Sequence, residues 1–303
     1  MRAGVCRGPI VSGGSMSSQS VYGPRLAALG LAAVAMLGSS AGLTPVQSAS
    51  AGPARQAPLE ISGKYTIYFN GFDIGAVRIE QRTSGRTYNA SSDVEISALL
   101  GAFRWKGVTR SAGILTAGAI EPSGYDFRYE GSSKSGSVRM GFNKGTVTSL
   151  SAIPETIDPA DVVPLQPSHL KSVVDPLSAI VAVSRPAADP CGRKLAVFDG
   201  KQRFDVALIP ARREAVPSGR NGAAVEGLVC RVKYTPIGGY RDNGDTRALA
   251  QSAGIEVTFR PIAEAGLWSP YRVVIPTMAG SVTLEATRYD VSAPGLDEIA
   301  LVD

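Results

Sequence analysis

ISGKYTIYFNGFDIGAVRI, residues 61–79, reads as a β-hairpin. Ile61, Gly63, Tyr65, Ile67 and Phe69 fall on one face, and Ser62, Lys64, Thr66 and Tyr68 on the other. That two-residue period belongs to a half-buried strand. Asn70-Gly71 follows, a pair that tolerates the positive φ angles of a tight hairpin turn. The return strand runs from Ile74 to Ile79, and its alternation slips at Gly75, which predicts a bulge.

The same pattern extends in both size and number. Tyr88, Ala90, Val94 and Ile96 share a face, and Phe103 and Trp105 sit two apart. Tyr125, Phe127 and Tyr129 alternate with Asp126, Arg128 and Glu130. Val138, Met140 and Phe142 continue the pattern to the turn Asn143-Lys144-Gly145. Strands resume at Leu195–Asp199, and Asp199-Gly200 signals a tight turn into Lys201–Pro210. There Phe204, Val206 and Leu208 oppose Arg203 and Asp205, with Asp205 expected on an exposed strand face. Residues 211–225 are polar with three turn formers and read as a loop. Val229–Pro236, Ile255–Ile262, Tyr271–Thr277 and Ser281–Tyr289 bring the total to about a dozen strands.

Two stretches interrupt the alternation. Pro154, Pro159, Pro164 and Pro167 fall within 17 residues, too many for a regular element, so 152–168 reads as a long connection. Asp175-Pro176-Leu177-Ser178-Ala179-Ile180-Val181 then reads as a helix start. Asp175 caps the free N–H groups of the first turn, and Pro176 suits the first position because it has no N–H to leave unpaired. The helix is expected over 176–183, with room for a turn from Ser168 before it, and with Leu177, Ile180 and Val181 directed into a sheet. Short antiparallel steps without intervening helices exclude parallel βαβ architecture. The expected fold is mainly β: an antiparallel meander forming an open, curved barrel or β-spiral around one short helix. An outer-membrane barrel fits less well, because the aromatics form no girdles.

Composition narrows the chemistry. Among 303 residues there is one histidine and there are three cysteines, which excludes His-cluster metal centres and four-cysteine sites. Residues 1–51 hold Arg2, Arg7 and Arg25, no acids, and the 12-residue apolar run 26–37. That is a signal-peptide pattern and too short for a bilayer span. Cleavage is expected after Ala41 or Ala51, leaving 52–303 as a single β-rich domain. The mature chain then carries 28 basic against 26 acidic residues, a net charge of +2. The basic pI therefore owes much to the leader and gives no case for a nucleic-acid partner. No transmembrane span is expected in the mature chain.

Cys6 leaves with the leader, so Cys191 and Cys230 remain, 39 positions apart. In an exported chain the expected state is one structural disulfide, with two separate buried thiols as the alternative. His169 lacks an adjacent partner for base catalysis and reads as a surface or capping side chain. Asp199, Asp205, Asp242, Asp245 and Glu256 show no glycosidase pairing, and Arg241–Asp245 fails the calcium-loop spacing and reads as a turn. Arg104, Lys106 and Arg110 share one strand face that is either solvated or offered to anionic headgroups. No catalytic residue, metal or cofactor is expected.

Asp175-Pro176-Leu177-Ser178-Ala179, Arg185, Cys191, Phe198-Asp199-Gly200 with Lys201, Arg203 and Phe204, and Cys230 followed by Tyr234 and Gly238-Gly239 carry a likeness. In that order and spacing, together with Tyr65–Gly75, Pro270-Tyr271-Arg272 and Thr277, they resemble domain of unknown function 3108, over roughly 60–290. The resemblance implies an exported, periplasmic protein of a Gram-negative bacterium. It also implies a plan similar to β-spiral proteins that maintain envelope integrity, with no established activity. The leading expectation is a protein that binds an envelope component, either an apolar ligand such as a lipid in its concave sheet or a periplasmic protein partner. The alternative is a scaffold with a filled core, and a carboxylate hydrolase is the third reading.

Overall fold

The computed structural model describes residues 58–98, 101–116, 119–154, 162–184, 189–220 and 223–303. The expected leader with both expected cleavage positions, the middle of the proline-rich connection and Arg185 lie outside the described residues. The hairpin at the start forms as its sequence dictates. Strand β1 (Leu59–Phe69) pairs with β2 (Phe72–Ser84), and Asn70 and Gly71 take φ angles of 49° and 84° at the turn. Ile67 pairs with Gly75 but Tyr68 with Asp73, so the bulge falls at Ile74. A Cβ on Gly75 would lie 2.1 Å from the Glu95 carbonyl oxygen, so only glycine fits there.

The meander continues through β3 (Thr87–Ala98), β4 (Phe103–Leu115), β5 (Ile120–Gly131), β6 (Ser135–Asn143) and β7 (Thr146–Ile153). After helix α1 (Pro176–Val183) a second meander follows: β8 (Lys194–Phe198), β9 (Arg203–Pro217), β10 (Ala224–Gly238), β11 (Glu256–Ile262), β12 (Leu267–Thr277) and β13 (Gly280–Ser292), with β14 (Ile299–Val302) added to β13. Strands β1 and β13 pair antiparallel and fuse the two meanders into one sheet, ordered 7-6-5-4-3-2-1-13-12-11-10-9-8. Strands β7 and β8 end that order without pairing to each other, so the sheet is an open β-spiral, as the alternation predicts.

The chain crossing between those ends is held by backbone hydrogen bonds. Val173 N–H donates to the Gly145 carbonyl in the β6–β7 turn. Val174 pairs in parallel with Val197 of β8, its N–H donating to the Ala196 carbonyl. The disulfide forms: Cys191 and Cys230 have Cα atoms 5.6 Å apart, and β9 lies between β8 and β10 as their spacing suggests. It ties the segment after α1 to β10.

Three expectations need correction. Residues 211–217 are not loop but the end of β9, which pairs with β10 up to Pro217 opposite Ala224. Their charges sit in ion pairs along the strand, Arg212 with Glu256 at 2.7 Å and Arg213 with Glu226, so polarity hides a strand. Arg241–Asp245 is not merely a turn. Asn243 accepts a hydrogen bond from Thr246 N–H and caps a second helix, α2 (Gly244–Gln251), which buries no residue and so shows no apolar signal. Asp205 is not on an exposed face either; it is largely buried against Arg203 at 2.7 Å and Lys194 at 2.9 Å. Burial pushes its carboxyl up, but the hydrogen bonds from Lys194 and Arg203 outweigh this and hold it below the usual range.

Candidate functional site

Helix α1 occupies the concave face of β3–β5. Asp175 has extended backbone and its side chain accepts a 2.9 Å hydrogen bond from Ser178 N–H, while Pro176 opens the first turn. Leu177 and Val181, four apart, are buried with Tyr88, Tyr125, Met140 and Phe198; Ile180 is half-buried beside them. Leu177, Ile180 and Val181 thus point where the sequence predicts.

A polar knot fastens the helix. Ser111 Oγ donates to Asp175 Oδ2 at 2.9 Å and lies 2.9 Å from Ser178 Oγ, which also donates to Asp175. Tyr88 Oη is 2.6 Å from Ser178 Oγ. Asp175 and Ser178 are fully buried, with Tyr88 at 1% and Ser111 at 4% exposure. A serine beside a carboxylate can be activated as a nucleophile, but here the hydroxyls of Ser111 and Ser178 both donate to Asp175 and fasten the helix. Burial raises the Asp175 carboxyl above its ordinary range, against the hydrogen bonds from Ser178 and Ser111. Burial likewise pushes Tyr88 up to about 12. Ser111 and Tyr88 escape sequence reading because each is one more residue on an alternating strand.

Asp199 and Gly200 serve the turn and more. Asp199 Oδ1 accepts from Lys201 N–H at 2.8 Å and Gln202 N–H at 2.6 Å. Gly200 has φ 96°, and a Cβ there would meet Val138 Cγ1 at 2.2 Å, so this turn of the second meander packs onto β6 of the first. His169 Nδ1 accepts from Gln166 N–H at 3.2 Å and caps a short 3-10 turn, Pro167–Leu170, the capping role expected of it.

Space is distributed unevenly. Between α1 and the sheet, beside Tyr65, Ile180 and Tyr289, the space is about 20 Å³, whereas a cleft of about 700 Å³ opens past Ala182 at the end of α1, between Ile120 of β5 and Leu195 of β8. A groove of about 930 Å³ lies on the opposite face, walled by outward rows that include Glu60, Arg82, Asn89, Arg110, Asp126 and Arg139. Of the acids lining it, Glu60 pairs with Arg82 at 3.2 Å and Asp126 with Arg139 at 3.0 Å.

On α1's own face the sheet runs on past the helix. Six positions from Ser111 along β4, roughly 20 Å of strand, stands Trp105. Its ring lies 6.3 Å from those of Phe127 and Tyr129, which are 5.6 Å apart and tilted by 25°. The rings lie flat because glycines make room. A Cβ on Gly107 would be 2.4 Å from Trp105, and one on Gly136 would be 2.8 Å from Tyr129 Oη. Phe127 still packs against the cluster around α1, but Trp105 and Tyr129 reach beyond it, and all three are half-buried. Each residue is visible in the sequence; their union depends on strand register and on glycines that alternation alone does not single out.

A family model described as a protein of unknown function, DUF3108, matches residues 64–287, from β1 to β13. The chain belongs to the DUF3108 family. No curated protein and no solved structure matches it. In this DUF3108 chain, the matched span takes in the α1 knot, the disulfide and the aromatic floor.

Proposed function

We propose that this DUF3108 chain is an exported periplasmic protein of a Gram-negative envelope. It holds an apolar envelope component, an acyl chain, against the aromatic floor of its concave face and performs no chemistry on it. The observation that carries this reading is the floor itself: three stacked rings of Trp105, Phe127 and Tyr129, left half-exposed where α1 ends. Rings lying flat offer a broad apolar surface at little entropic cost. The 12-residue apolar run of the leader and the Cys191–Cys230 bridge support an oxidising compartment outside the cytoplasm. Support for a non-catalytic role comes from the employment of the capable side chains. Asp175 caps a helix, Asp199 closes a turn, and His169 caps a 3-10 turn.

A scaffold is the second reading, favoured by the close packing of α1 on its side toward Tyr65 and Tyr289, where the space is about 20 Å³. Native mass spectrometry of protein taken from envelope fractions separates the two. The binding reading expects a lipid-sized adduct on the wild type that Trp105→Ala loses. Bare protein in both samples would favour the scaffold.

A further inference from the structure

The meander sorts its connections onto two rims. The β1–β2, β3–β4, β5–β6 and β12–β13 turns share one rim with α2 and the end of β7, as the antiparallel registers require. The other rim is formed by the β2–β3, β4–β5, β6–β7, β9–β10 and β11–β12 connections. The rims differ in chemistry. Phe72, Met278 and Ile153, the three most exposed large apolar side chains among the described residues, are 76%, 73% and 66% exposed and all stand on the first rim. Phe103 joins them at 45%. The turns that carry Phe72 and Met278 are adjacent, because Asn70 N–H donates to the Ser281 carbonyl and Ser281 N–H to Asn70 Oδ1. Beside Met278 a groove of about 690 Å³ runs between α2 and the β12–β13 turn, lined by Ala248, Leu249 and Pro276. The opposite rim presents Arg86, Lys144, Arg220 and Glu264 in its turns, with Ile114 at 39%, Leu296 at 37% and Val302 at 58% as its exposed large apolar side chains.

Single exposed apolar residues are ordinary. Their concentration on hairpin tips along one rim is not, since a turn tip has no fold-related reason to carry phenylalanine. We propose that this rim docks on a lipid surface, with Phe72, Phe103 and Met278 entering the headgroup–acyl boundary. Protruding tips spread over the β3–β4, β1–β2 and β12–β13 turns suit a fluid interface, which apolar side chains can enter one by one. Charge agrees. Arg104 and Lys134, on adjacent tips beside Phe103, have no ion-pair acid among the described residues, and Arg104 is bound through its backbone to Ser132 in the same corner. They are placed to meet lipid phosphates. Trp105 follows Phe103 on the opposite side of Arg104, so a docked rim sets the aromatic floor beside the membrane. The docking stands independently of that floor and holds whether or not the floor takes a ligand.

Flotation with vesicles of phosphatidylethanolamine and phosphatidylglycerol tests this on the chain lacking its leader. The wild type is expected to float with vesicles. Phe72→Ser and Met278→Ser are each expected to lower partitioning roughly tenfold, with Tm unchanged because both side chains are already in water. Ile114→Ser on the opposite rim is expected to float as the wild type does, and Trp105→Ala to keep flotation even if it loses a bound lipid. Failure of the wild type to float would overturn the proposal, as would flotation insensitive to the Phe72 and Met278 changes. So would a protein from envelope extract that is retained through this rim in place of vesicles.

Discussion

Asp175 is a carboxylate whose burial is answered by three hydrogen bonds, from Ser178 N–H, Ser178 Oγ and Ser111 Oγ. Replacing it with alanine removes the cap and leaves two buried serine hydroxyls short of an acceptor. We expect a loss of about 2 kcal/mol in urea denaturation, with asparagine recovering part of it. The tyrosines give a sharper pH signature. Burial pushes Tyr88 and Tyr271 up to about 12 and raises Tyr65, Tyr125 and Tyr289 as well. A phenol with a raised folded-state pKa contributes stability that is fully present below its unfolded value of 10.0 and is lost as pH rises through the folded value. The urea midpoint should therefore fall between pH 10 and about 12, in step with late tyrosine ionisation at 295 nm. A midpoint that stays flat across that range would refute the burial of Tyr88 and Tyr271. Arg260, fully buried, reaches both carboxylate oxygens of Asp303 at 2.7 and 2.8 Å and lies over the Tyr271 ring. Asp303→Asn strands that guanidinium and is expected to cost about 3 kcal/mol in the same assay.

Among elements, α1 is the one whose loss reaches furthest. Eight residues have little helical stability of their own, so the sheet must hold them. Leu177→Ala is expected to cost about 3 kcal/mol, because Leu177 is buried within the cluster of Tyr88 and Phe198. Ile180→Ala should cost less, since Ile180 is half-buried at the edge of the 20 Å³ void. Reduction of Cys191–Cys230 opens a loop of 39 positions, worth roughly 3.9 kcal/mol by loop entropy. The helix was legible because Asp175-Pro176 is a start signal that needs no partner. Helix α2 was not, because an exposed segment has no apolar stripe and its cap, Asn243, sits in a run of turn formers. The far half of β9 was hidden for the opposite reason: Arg212 and Arg213 look like loop until their acids on β10 and β11 are placed beside them.

For the whole molecule, alternation announced an antiparallel meander but not the pairing that makes it one sheet. Nothing in residues 59–69 marks them as the partners of 280–292; that contact emerges only when both meanders exist. The concave face likewise divides in a way no local pattern states. One end is closed by α1 and its polar knot, and the other is left with the flat rings of Trp105, Phe127 and Tyr129. The central claim is that this uncovered floor, and not a cavity under α1, receives an acyl chain.

The chain has two tryptophans, so Trp268→Phe leaves Trp105 as the sole reporter. Its emission, followed during titration with a monomeric lysophospholipid, tests the claim without a membrane surface that could engage the rim. The account predicts a saturable blue shift that Tyr129→Ala weakens roughly tenfold and Phe72→Ser leaves alone. An emission spectrum that does not move, or moves equally in the Tyr129→Ala background, would contradict it.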